Sequence, residues 1–207
     1  MVEYFVNGGP FMWPILILLI AGLGIVGERF YSLMMSSTNT KEFFDDVIQS
    51  LDNDGIDNTI ELCNNTPGPV AEIFHAGLSR FHRGLREVEK AVQDAGGLEM
   101  SFLEKNMIWM NAVITIAPML GFTGTVAGMV NAFDAIAAAN DISPAVVAGG
   151  ISQALLTTAF GLIVAMIIQI FQNFFVSMID KLILDMEENS VKFMDQLHLE
   201  YEKLAQS

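Results

Sequence analysis

Three stretches of the chain carry no Asp, Glu, Lys or Arg: Tyr4 to Gly27, Asn106 to Phe133, and Ile142 to Ile179. Each holds a run of about 20 residues, enough for a helix to cross about 30 Å of hydrocarbon. An amphipathic soluble helix would put charge on its outer face, so the pattern predicts three transmembrane helices. The first is the shortest, with Trp13 and Tyr31 near its ends, where amphipathic rings favour the headgroup region. Pro14 falls in its first turn, where a missing N–H does no harm. A cleaved signal peptide needs basic residues ahead of the apolar run, and only Glu3 is there. A retained anchor is the expectation.

Between and after these runs the periodicity is helical. TNTKEFFDDVIQSL combines a cap at Thr38 or Asn39 with an apolar stripe at Phe43, Val47 and Leu51. Asn53–Asp54–Gly55 is a turn signal, and Asp57 is a candidate cap for a short helix reaching Cys63. Val70, Phe74, Leu78 and Phe81 stripe another helix. A further one begins near Leu85 and is expected to continue past Gly96 and Gly97 into the second span. Ile183, Met186, Phe193 and Leu197 are candidate packing residues of the tail. The resulting partition is an outer N-terminus (1–9), a first span (10–30), a helical domain (31–105), a second span (106–133), a turn (134–145), a third span (146–176) and a C-terminal helix (177–207). The fold class is an all-α membrane protein whose second and third spans extend into a helical cytoplasmic domain.

Charge sets the expected orientation. Of the ten basic residues, seven lie between Arg29 and Lys105; Lys181, Lys192 and Lys203 follow the third span. Lys and Arg collect on the cytoplasmic side, which puts the N-terminus and the 134–145 turn outside, and the large loop and tail inside. A net charge of −14 argues against nucleic-acid binding. No phosphate loop, nucleophile elbow or acidic metal cluster appears, so no enzyme activity and no cofactor is expected. His75, His82 and His198 lack ligand spacing for a metal. Cys63 is the one cysteine, which excludes an internal disulfide.

The second and third runs differ from the first in carrying polar stripes. Asn111, Pro118 and Thr125 recur every seven residues, with Thr115 and Gly121 beside that face. Gly124 and Gly128 form a small-xxx-small pair that lets another helix approach. In the third run Gln153, Thr157, Gly161, Ala165 and Gln169 repeat every four, with Thr158 alongside. A single threonine can simply bond to its own preceding turn. Two long stripes, beside a first span with none, point to an interior lined by the second and third spans. Proton relays use ionisable groups, and these runs have none. The conductor therefore works without one, or a partner brings it. Three helices enclose little volume, so a symmetric ring is the natural way to line a cavity.

The chain resembles the MotA/TolQ/ExbB proton-channel family, most closely an ExbB/TolQ-type subunit. GGPFMWPILIL (8–18) with GERF (27–30), APMLGFTGTVAGMVNAF (117–133) and GGISQALLTTAFGLIVA (149–165) resemble its three membrane segments in order. The resemblance implies a homopentameric ring in the bacterial inner membrane around a dimeric ExbD/TolR-like partner, whose single spans carry an aspartate. It implies H+ as the transported ion and a TonB- or TolA-like protein as recipient of the motion, most naturally for outer-membrane import. Thr125 and Thr158 correspond to the family's threonines facing that aspartate; the stripe alone selects Thr157 as readily. Thr157, Gln153, Asn111, Thr115, Pro118 and Thr123 complete the expected pore- or partner-facing set, and Gly121, Gly124, Gly128 and Gly161 the helix-packing set. Many ExbB proteins have glutamate where this chain has Gln153, which does not titrate. The alternatives are a passive oligomeric scaffold and a small-solute transporter; the latter would need paired halves that the chain lacks.

Overall fold

The computed structural model describes residues 2–36, 40–139 and 144–206. Among them the structure is all helical: α1 (Val2–Asn7), α2 (Met12–Ser36), α3 (Thr40–Asn53), α4 (Ile56–Asn65), α5 (Pro69–Leu78), α6 (Leu85–Leu103), α7 (Met107–Ala139) and α8 (Pro144–Gln206), with one 3-10 turn at Phe81–Arg83. Helices α2, α7 and α8 are long and apolar enough to cross a membrane. Two compact units form, one from 1–29 and 106–174, the other from 30–105 and 175–207.

The first unit is built from α1, the start of α2, α7 and the first half of α8. Pro14 sits in the first turn of α2. That helix runs to Ser36, beyond the expected boundary at residue 30, because no breaker follows Arg29. Likewise α7 passes Asp134 to Ala139, through AIAAA, since alanine is the strongest helix former. Pro144 opens α8 at a position that tolerates its missing N–H. Of the expected 134–145 turn, 134–139 belong to α7 and 144–145 to α8, and residues 140–143 lie outside the described residues.

Small residues bring α7 and α8 together. A Cβ on Gly161 would fall 2.5 Å from the Ala117 carbonyl oxygen, and one on Gly128 would lie 3.1 Å from Ala154 Cβ. Gly121 and Gly124 likewise face Thr158 and Thr157. Helix α2 packs on both: a Cβ on Gly22 would meet Ile168 Cδ1 at 2.8 Å and Val113 Cγ1 at 3.4 Å. Ile17, Ile20, Phe122 and Ile170 point outward and are exposed, an apolar surface suited to lipid or another helix.

The second unit packs α3, α4, α5, α6 and the end of α8 around aromatic side chains. Phe74 stacks on Phe193 at 4.1 Å between centroids and on Phe43 at 5.9 Å. Phe43, Val47, Leu51, Val70, Leu78, Phe81, Met186 and Leu197 are buried; Ile183 is half-buried. Asn53–Asp54–Gly55 forms the expected turn, with Gly55 at φ 82. Asp57 is not the cap. It lies inside the first turn of α4, behind Gly55, where a carboxylate still suits the helix dipole. Thr59 ties the turn instead, donating to the Gly55 carbonyl at 2.9 Å and meeting Ser50 Oγ at 3.1 Å. Thr38 and Asn39 lie outside the described residues.

One expectation is corrected. Helix α6 passes Gly96 and Gly97 unbroken but does not run on into α7. The chain turns at Glu104–Asn106, with Asn106 at φ 65. That left-handed conformation is incompatible with a helix, and asparagine tolerates it better than most residues.

Candidate channel and partner-binding site

The threonines at the α7–α8 contact divide between two environments. Thr125 and Thr158 face each other across the seam, their hydroxyl oxygens hydrogen-bonded. Both also reach the Gly121 carbonyl, Thr125 at 3.2 Å and Thr158 at 3.0 Å, and Thr125 lies 3.3 Å from the Ala154 carbonyl. The absent side chain of Gly121 brings Thr158 to that carbonyl. Both hydroxyls are half-buried.

Their protons can be accounted for. Each hydroxyl has one proton to donate and two lone pairs. Thr158 donating to Gly121, and Thr125 to Thr158 or Ala154, uses both protons internally. In that arrangement the pair offers the outside only lone pairs. Donation outward requires a hydroxyl to turn away from a carbonyl.

Thr157 belongs to the other environment, and its expected pore-facing role is corrected. It is fully buried, with 0% exposure. Its hydroxyl meets the Gly8 carbonyl at 2.8 Å, ahead of α2, and the Gln153 carbonyl at 2.8 Å. Gln153 is half-buried and directed to the same α1–α2 connection: a Cβ on Gly9, itself at φ 78, would overlap its side-chain amide. These two residues anchor the N-terminal connection onto α8.

The remaining candidates are spread along α7. Asn111 and Thr115 are exposed, with Thr115 donating to the Asn111 carbonyl at 2.9 Å. Pro118 is half-buried inside the helix, where it removes a donor and favours a bend. Thr123 is exposed and bonded back to the Met119 carbonyl at 2.8 Å. Two residues from Thr125 is 200° around a helix, so these two threonines point to opposite sides.

A polar cluster not singled out from the pattern closes the other end of the first unit. Arg29 is fully buried and forks onto Glu28, Nη2 to Oε1 at 2.8 Å and Nε to Oε2 at 2.9 Å. Asn106 Nδ2 donates to the same carboxylate at 3.1 Å. A buried arginine needs such pairing. The signal was the GERF segment at the end of the first charge-free run. In the second unit Cys63 is buried, which pushes its thiol up to about 12.

Three membrane-length helices, two of them joined by a small-residue seam with paired hydroxyls, define a multi-pass helical membrane protein. The sequence profile of the MotA/TolQ/ExbB proton channel family matches residues 65–188, and the chain belongs to that family. It is 31% identical over 185 residues to an ExbB homologue of Methanothermobacter thermautotrophicus, covering 86% of this chain and 64% of the relative, just under two thirds of its length. Identity to the Tol-Pal system protein TolQ of Pseudomonas aeruginosa is 34% over 108 residues, 46% of each chain. To the biopolymer transport protein ExbB of Salmonella typhimurium it is 40% over 67 residues, 32% of this chain and 28% of that one.

Proposed function

We propose that this chain is the ring-forming subunit of a proton-driven motor in the bacterial inner membrane. Five copies surround the single spans of an ExbD/TolR-like dimer, and the motion energises a TonB- or TolA-like protein, in the first instance for outer-membrane import. The N-terminus and the α7–α8 turn lie outside; the second unit and the C-terminus lie inside, as the distribution of Lys and Arg favours.

The observation that carries the reading is the hydroxyl pair Thr125–Thr158, set in α7 and α8, which carry no titratable group from Met107 to Phe133 and from Pro144 to Ile179. A self-bonded pair offering lone pairs suits a protonated carboxylic acid, which needs an acceptor. A charged carboxylate needs donors, obtained when the hydroxyls turn outward. The pair thus distinguishes the two protonation states of an acid that the partner brings. Neutralisation removes most of the acid's desolvation penalty and lets it leave. One charge moving through 100 mV releases about 2.3 kcal/mol, comparable to the hydrogen bonds exchanged. Gln153 cannot titrate, and its position at the α1–α2 connection gives it a structural role.

Proteoliposomes under an imposed pH gradient test this. Proton flux should require both this chain and the single-span partner, and should vanish when the partner's membrane aspartate is replaced by asparagine. A complex that assembles but never conducts would be a passive scaffold and would overturn the reading.

A further inference from the structure

Past Glu28 and Arg29, helix α2 continues as FYSLMMS, a segment without charge. Leu33 turns inward and is buried, while Tyr31, Met34 and Met35 are each more than half exposed. Positions 31, 34 and 35 share one helix face, so these side chains form an apolar ridge. Met34 lies seven residues past Gly27, where the first charge-free run ends, or about 10 Å along the helix. The headgroup layer on one side of a bilayer is only about 5–8 Å thick. Lipid therefore does not cover the two methionines.

The second unit also holds an empty counterpart. Helices α6 and α8 leave a groove of about 550 Å³ between them. Ile73, Met100, Ile183 and Met186 form its apolar walls, and Glu187 lines it as well. Gly97 helps to keep it open, since a Cβ there would meet no atom within 4 Å. No residue of α2 lines this groove, so ridge and groove do not meet within one chain.

We propose that the groove of each copy receives Met34 and Met35 from the next copy in the ring. The proposal rests on the ring of the motor reading above and names a contact that builds it. Flexible thioethers suit an irregular apolar space. Depth matches too: Met186 lies seven residues past Ile179, the end of the third charge-free run, as Met34 lies seven past Gly27. Helices α2 and α8 run unbroken through those points. Copies in one membrane share its plane, so the ridge of one arrives at the level of its neighbour's groove. The ridge is neutral, so it brings no like charge against Glu187, and the acidity of the chain does not oppose the contact. Ridge and groove are different surfaces, which makes the contact head-to-tail, the kind that closes into a ring.

The test uses the full chain with its partner in membranes. Met35→Cys and Glu187→Cys add two thiols at exposed positions, while Cys63, the one native cysteine, is buried. A short bismaleimide should convert the double variant into a ladder from dimer to closed ring. Either single variant alone should give no adduct, and the two coexpressed should give dimers only. Gly97→Leu, which fills the groove, should cut the ladder at least tenfold with Cys63 still shielded from maleimide. Met34→Asp, which puts a charge on the exposed ridge, should do the same. Adducts within one chain, adducts between like positions, a ladder unchanged by both substitutions, or no ladder from an intact ring would overturn the proposal alone. A native mass holding a single copy of the unsubstituted chain would overturn the motor reading, and the proposal with it.

Discussion

Thr157 Oγ1 lies 2.8 Å from the carbonyl oxygen of Gly8, pinning the connection before the first membrane helix onto the third. Its neighbour Thr158 looks the other way, to Thr125. Adjacent threonines on one helix thus face different neighbours; with Thr158 in the proposed partner-facing role and Thr157 in an architectural one, the two should fail differently when altered.

Thr157→Val keeps the shape and removes the donor. The buried Gly8 carbonyl then loses a partner, at a cost of about 1–3 kcal/mol. Thermal unfolding in detergent should show a clear loss of stability for Thr157→Val and much less for Thr157→Ser. Equal stability of Thr157→Val and the parent would remove the anchor from the account.

Gly161 marks a close backbone approach of α7 and α8, since a Cβ there would fall 2.5 Å from the Ala117 carbonyl oxygen. Both atoms belong to, or hang directly on, backbone, so neither can swing aside. Gly161→Ala should cost about 1–3 kcal/mol by forcing the helices apart. Gly24→Ala, where nothing lies within 4 Å, should be neutral or slightly stabilising. A melting comparison of the two variants decides the matter.

The buried thiol gives a pH dependence whose sign is fixed. Burial raises Cys63 from an ordinary 9.0 to about 12, so the folded state holds this proton more tightly than the unfolded chain. Its contribution is fully present below about 9 and is lost as pH rises toward 12, at up to about 1.4 kcal/mol per pH unit. Cys63→Ala should flatten that alkaline decline. The folded parent should also resist maleimide at pH 8, reacting only after denaturation.

Much of this arrangement was legible in the pattern. The charge-free runs coincide with the apolar parts of α2, α7 and α8, because hydrocarbon excludes charge whatever the packing. The apolar stripes at Phe43, Val47 and Leu51 and at Phe74 and Leu78 are buried because a 3.6-residue period leaves a helix one way to face a core. The division between Thr157 and Thr158 was not legible. A repeat of four marks a face but not the neighbour that covers it, and α8 is covered on one side by α7 and on the other by the α1–α2 connection. The break at Asn106 was hidden for a similar reason. Propensity drew attention to Gly96 and Gly97, whose space lies open, while the turn formed at an asparagine able to take a positive φ.

The most direct test of the central claim is proton flux through the reconstituted complex carrying Thr125→Val and Thr158→Val. Valine keeps the volume and removes both hydroxyls. Loss of hydrogen bonds to a charged group, about 1.5–3 kcal/mol, should slow flux by roughly ten- to a hundred-fold while the complex still assembles. Flux at the parental rate in an intact double variant would contradict the account.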